Sequence, residues 1–220
     1  MNELSRVHVE IGNWQTLGCD VIIIPSYPSY VKRYGLSNEI YRSAGKTLES
    51  ECLEFSLGRE GDVRITRAYQ LVKYGIGWLI HGVSSKENRE EKEEEEMMGN
   101  LYRRCFQRCI DYDTDYRRQS ANLAGQYYSG EKLASYLEHV ERYIKNHPVR
   151  RIGIIPLKQY RNNKERGVNQ TLKEINEFLS QDKQIVAIHI LCEDIGSYNE
   201  YLKIIKDKSN NLKGGKIWSE

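Results

Sequence analysis

The residue types best suited to chemistry in this sequence fall in two stretches that mix phenols with cations. The first holds Tyr27, Tyr30, Lys32, Arg33 and Tyr34, and the second holds Lys158, Gln159, Tyr160, Arg161 and Asn162, followed by Lys164 and Arg166. A guanidinium or ammonium group binds phosphate oxygens through charge-assisted hydrogen bonds, and a phenol ring stacks on a base or a sugar. Both stretches are therefore candidate anion sites, with ordinary solvated surface as the competing reading. Acid–base chemistry has one pair of candidates, Glu193 and Asp194, which are equally suited to cap a following helix. Cys105 and Cys109 lie one helical turn apart, but no further Cys or His stands at finger spacing, so buried thiols are the better reading. His8, His81 and His189 fall on apolar, strand-like segments that favour a packed neutral imidazole. There is no Ser-His-Asp spacing, no His-Glu-x-x-His and no Gly-x-x-x-x-Gly-Lys, so neither a metal nor a cofactor is expected.

These side chains need a scaffold, and hydrophobic periodicity supplies one. Val7, Val9 and Ile11 alternate with polar residues as in a half-buried strand, and the unbroken run Val21 to Ile24, closed by Pro25, reads as a central strand covered on both faces. From Asn38, Tyr41, Ala44, Leu48, Cys52 and Phe55 mark one amphipathic helix ending before Gly58. Asp62 to Thr66, Tyr69 to Lys73 and Gly77 to Val83 read as three short strands. Met98, Leu101, Cys105, Cys109 and Tyr112 form a helical stripe led in by the acidic run Glu90 to Glu96. Residues 113–130 show no clear period and read as a long loop, either a functional cover or a segment without fixed structure. Leu133 to Ile144 then form a helix that stops before Pro148. The last third alternates a strand at Arg151 to Ile155, a helix through Val168 and Leu179, a strand at Ile185 to Leu191 and a helix through Tyr198 and Ile205. That alternation marks βαβ units with parallel strands, and the chain beyond Lys208 reads as a frayed tail.

Taken in order, Ile11-Gly-Asn13, Cys19 to Ile24, Ile40-Tyr-Arg-Ser-Ala-Gly45, Gly61-Asp-Val-Arg-Ile-Thr66 and Leu79-Ile-His-Gly-Val83 resemble the macro domain family. The resemblance spans residues 6 to 206 and is interrupted by an enlarged segment between Tyr112 and Pro148. It implies a three-layer α/β/α fold with a mixed sheet and a helical or loop insertion at about 112–148. It also implies one domain over 1–206, followed by a tail at 207–220.

The family binds ADP-ribose or related nucleotides at the carboxyl ends of the central strands, and some members hydrolyse ADP-ribosyl bonds. Carried over residue by residue, the resemblance puts a cleft between the loops Pro25 to Ser37 and Pro156 to Arg166. Asn13 takes the place of the adenine-contacting aspartate. Ser26 and Tyr27 fall on the Asn-Ala-Ala-Asn turn, with a phenol at Tyr27 where the family has an amide. Tyr34 precedes Gly35 and Leu36, the one pair that matches the glycine-rich stretch after that turn, and Lys158, Gln159, Tyr160, Arg161 and Asn162 replace the second glycine-rich phosphate loop. Main-chain amides approach phosphate most closely at glycines, so here side-chain cations would take over that task.

Composition limits the alternatives. The chain has 220 residues, of which 39% are hydrophobic and 29% charged, enough for one substantial core. A net charge of +2 gives no global attraction to nucleic acid or anionic lipid. No apolar run approaches the roughly 20 residues that span a bilayer, and Met1 to Arg6 lacks the apolar core of a signal peptide. A cytoplasmic location with no membrane partner is expected. The five cysteines, odd in number, suit buried reduced thiols. The sequence thus points to a binding module for an ADP-ribose-related or other phosphorylated nucleotide without efficient catalysis. Two alternatives stand beside it: an ADP-ribosyl hydrolase with atypical active-site residues, and a scaffold that contacts a protein partner through 113–130.

Overall fold

The computed structural model describes residues 3–31, 34–84, 90–157 and 164–213. The strands β1 (Val7–Ile11), β2 (Val21–Ser26), β3 (Val63–Arg67), β4 (Trp78–Val83), β5 (Arg151–Ile154) and β6 (Ala187–Cys192) form a six-stranded sheet in the order β1-β6-β5-β2-β4-β3. Every neighbouring pair is parallel except β3 against β4. The helices are α1 (Gly35–Ala44), α2 (Lys46–Leu53), α3 (Glu91–Ile110), α4 (Tyr112–Tyr127), α5 (Gly130–Asn146), α6 (Lys164–Gln181) and α7 (Ile195–Lys213).

The β-branched run of β2 lies at the centre, with Val21, Ile22, Ile23 and Ile24 all 0% exposed, which is why this strand shows no polar alternation. Asp20 sets the register around it. Its carboxylate accepts the N–H groups of Arg150 (2.8 Å) and Arg151 (2.7 Å) at the start of β5, and its carbonyl accepts those of Gly77 (2.8 Å) and Trp78 (3.2 Å) at the start of β4. Val21 and Ile23 point into a core shared with α3 to α7, whereas Ile22 and Ile24 point into a second core with α1, α2 and the 3-10 turn Tyr69–Tyr74. The expected three-layer α/β/α architecture with a mixed sheet is present.

Four expectations need correction. The helical stripe from Asn38 to Phe55 is two helices, because Gly45 adopts φ +89 and interrupts the hydrogen-bond ladder between α1 and α2. Tyr69 to Lys73 is a 3-10 turn, not a strand: β3 already pairs with β4 from Val63↔Gly82 to Arg67↔Trp78, and the intervening residues must reverse the chain. Residues 113–130 are not a loop but most of α4, which pairs with α5 as a helical hairpin over the edge strand β3. The stripe that α4 buries, Tyr116, Ser120 and Ala124, has helical spacing but little aliphatic content, so hydropathy alone does not register it. Gln119 Nε2 donates to the carbonyl of Ile65 (2.9 Å) and so satisfies an acceptor on that exposed edge. Finally, α7 continues to Lys213 through what was read as tail, and 214–220 lie outside the described residues.

Candidate functional site

Because β1, β6, β5 and β2 are mutually parallel neighbours, the connections after Ile11, Cys192, Ile154 and Ser26 all leave the sheet at one rim. Ligands of open parallel sheets bind at this rim, and the connections after β2 and β5, which carry the two loops singled out by sequence, both begin there.

The connection after β2 is tightly folded. Ser26 is buried, and Tyr30 N–H closes a turn on the carbonyl of Tyr27 (2.9 Å). Tyr30 takes a positive φ of +56 and inserts its ring edge-on to Phe55 (5.5 Å) and His81 (6.3 Å), with 0% exposure. It anchors the loop and is not available to stack on a ligand, contrary to expectation. His81 is itself buried and hydrogen-bonded to Thr66 Oγ1 (2.9 Å), a packed imidazole as its strand position implied. Tyr27 is half-buried and meets the ring of Tyr34 edge-on at 5.6 Å, while Tyr34 is 57% exposed. The two phenols therefore stand together at the rim, next to the first turn of α1.

At that turn Gly35 has φ +54, and the side chain of Leu36 is buried. The N–H of Leu36 donates to Oε1 of Glu193 at 2.7 Å. A Cβ at position 35 would push the same carboxylate aside, and the positive φ itself favours glycine. The neighbouring Asp194 caps α7, accepting Ser197 N–H (2.8 Å) and Ser197 Oγ–H (2.7 Å). The two acidic residues past β6 thus hold two different helix ends. Capping was one of the two sequence readings, although Glu193 caps a helix 157 residues away.

Asn13 follows β1 at the same rim and is exposed, just before the 3-10 turn Trp14–Thr16. Trp14 Nε1 ties that turn to α1 through Glu39 (2.8 Å). Lys32, Arg33, Lys158, Gln159, Tyr160, Arg161 and Asn162 lie outside the described residues. Arg166, expected to help bind phosphate, instead forms an ion pair with Glu95 of α3 (2.8 Å). Two apolar residues at the rim escaped sequence reading: Ile11 is 43% exposed and Ile195 is 62% exposed. Ile11 pairs in register with Cys192, and Ile195 opens α7, so both flank Glu193.

The remaining reactive groups are structural. All five cysteines are buried and free, and burial pushes the thiols of Cys19 and Cys192 up to about 12, far from thiolate chemistry. Burial, reinforced by the adjacent His8 ring at 4.9 Å, lowers the pKa of His189 against the opposing pull of Glu10. Among the described residues no group of three or more His, Cys, Asp or Glu side chains could hold a metal ion, and no helix is long and apolar enough to cross a membrane.

Comparison with known proteins shows what the chain is similar to. No protein-family model matches the chain. A macro domain-containing protein of Mesorhizobium japonicum is 30% identical over 100 residues, 46% of this chain and 55% of that protein. One from Methanosarcina mazei is 27% identical over 110 residues, 50% of this chain and 57% of that protein. Among solved structures, the Trypanosoma brucei macrodomain in complex with ADP-ribose superposes with a TM-score of 0.63 at 19% identity, covering 91% of this chain and 69% of that one. The Oceanobacillus iheyensis macrodomain with ADP gives 0.65 at 18% identity, covering 92% of each chain.

The chain has the fold of the macro domains.

The match to these curated relatives spans little more than half of their length. The fold is shared at under a fifth sequence identity to the structures compared, as expected when core pattern and topology are retained while surface residues drift.

Proposed function

We propose that this chain binds a phosphorylated nucleotide of the ADP-ribose class and turns it over poorly or not at all. The observation that carries this reading is the common rim. The β1, β2, β5 and β6 connections leave the sheet together, and apolar and aromatic side chains (Ile11, Tyr34, Ile195) stay exposed there, in a fold whose solved relatives hold ADP and ADP-ribose. Exposed aromatic and aliphatic groups suit the faces of a base, and Asn13 offers both a donor and an acceptor to its edge. Binding is favoured over hydrolysis because Glu193 and Asp194, the acid–base candidates of the sequence, are already committed to helix ends.

Titration calorimetry with ADP-ribose, ADP and NAD tests this. One saturable site is expected for at least one of the three, and Tyr34→Ala should weaken it by roughly tenfold if its ring stacks on the ligand. Silence across all three nucleotides would sink the reading. Rapid release of ADP-ribose from a modified protein would instead favour the hydrolase.

A further inference from the structure

The two edges of the sheet differ. The outer side of β3 lies under the α4–α5 hairpin, whose Gln119 donates to the carbonyl of Ile65 (2.9 Å). Among the described residues no strand pairs with the outer side of β1, so its outward N–H and C=O groups are a template for another strand. Both flanks of β1 are drawn inward, away from this edge. Before it, the Arg6 guanidinium donates to the carbonyl of Ile185 ahead of β6 (2.6 Å), and after it, the buried Trp14 is tied to Glu39 of α1 (2.8 Å).

The sequence of β1 is complementary to itself. Laid antiparallel on a second copy about Val9, Val7-His-Val-Glu-Ile11 sets His8 against Glu10, Glu10 against His8, Val7 against Ile11 and Val9 against Val9. The two imidazole–carboxylate pairs share one face. The apolar pairs share the other, where Val7 and Val9 pack with Tyr198 and Tyr201 of α7 and Ile11 is 43% exposed. Other registers lose this match: centring on His8 opposes two imidazoles, centring on Glu10 opposes two carboxylates, and a slip of one residue sets apolar side chains against polar ones. The exposed His8 ring is held in place by stacking on His189 at 4.9 Å.

We propose that two copies of this chain associate through β1 as a two-fold symmetric dimer, joining their sheets edge to edge with His8 of each copy against Glu10 of the other. The inference does not depend on the nucleotide reading.

Sedimentation velocity over a concentration series is expected to show a reversible monomer–dimer equilibrium from about 10 μM upwards. His8→Glu opposes carboxylate to carboxylate twice in the dimer and should weaken association by roughly tenfold or more. The double variant His8→Glu/Glu10→Lys restores opposite charges across the strand pair and should recover it. A protein that stays monomeric up to about 1 mM overturns the proposal and leaves the edge to a strand of a different protein. A dimer that His8→Glu leaves intact, or that the double variant fails to recover, overturns it as well by placing the interface elsewhere. Should the variants not fold, amide exchange of the wild type decides. The β1 amides that face away from β6 should gain protection as concentration rises, and protection independent of concentration overturns the proposal.

Discussion

Replacing Trp78 with alanine is expected to destabilise the protein by about 3–5 kcal/mol, the range for deleting a fully buried aromatic side chain. Trp78 opens β4 at 0% exposure and is the point at which the α4–α5 hairpin meets the sheet. Its ring lies 5.5 Å from that of Tyr112, 5.0 Å from Tyr116 and 5.0 Å from Tyr143, and its Nε1–H donates to the carbonyl of His147 (2.7 Å). Tyr143 strengthens the junction by donating to the carbonyl of Gly77 (2.6 Å). Alanine would remove the hub of three ring contacts and leave the His147 carbonyl without its donor, which is why loss should exceed that of an ordinary core truncation. The melting temperature should fall by about 10 °C, and amide exchange should accelerate most within 112–146. Trp78→Phe, which keeps a ring and loses the hydrogen bond, should cost less than half as much. A melting temperature within a degree or two of wild type for Trp78→Ala would show that the hairpin is secured elsewhere.

That hairpin also marks where sequence reasoning stopped. The central strand is legible because burial on both faces leaves only β-branched residues, as in Val21 to Ile24, and helices α3, α5 and α6 because each buries an apolar stripe, whereas Tyr69 to Lys73 has strand-like composition but turns the chain. α4 was missed because it is held by tyrosine rings and small residues, and its partner Trp78 lies in a strand far away in sequence. The macro-domain resemblance came through fragments whose order survived, while the helix break at Gly45 was hidden because a positive φ leaves no trace in periodicity. Sequence put Tyr27, Tyr34 and Gly35 in one connection, and they do stand together at the head of α1. It could not show that Tyr30 faces inward, which depends on the turn closed by Tyr27, nor that Glu193 reaches α1, a pairing between elements adjacent only in three dimensions. Ser37 and Asn38 suggest a local cap, whereas the helix begins at Gly35 and takes its acceptor from elsewhere.

Stability should also fall as pH rises through a window set by Glu51. This residue of α2 is partly buried against the sheet edge, where it accepts a hydrogen bond from Tyr69 OH (2.8 Å). Burial raises its pKa from 4.5 to about 7, opposed by the Tyr69 hydrogen bond and by the charge and backbone N–H of Arg67. The Arg67 guanidinium cannot offset the penalty fully because it lies over the rings of Tyr116 (5.4 Å) and Tyr143 (4.6 Å). The sign follows from proton counts. Below pH 4.5 the carboxyl is protonated whether the chain is folded or not, and no penalty exists. Between 4.5 and about 7 the unfolded chain gives up this proton while the folded one retains it, so rising pH favours unfolding. Above about 7 the folded protein carries the whole cost, of about 3 kcal/mol. Glu51→Gln keeps an acceptor for Tyr69 and abolishes the titration. Its unfolding free energy should match wild type near pH 4.5 and exceed it by up to about 3 kcal/mol at pH 8, the other titrating groups cancelling in the difference. Denaturant unfolding of both proteins at a series of pH values measures this directly. A variant less stable than wild type at pH 8 would mean that the Glu51 carboxylate is held by Arg67 as a favourable ion pair, reversing the assigned balance between burial and charge.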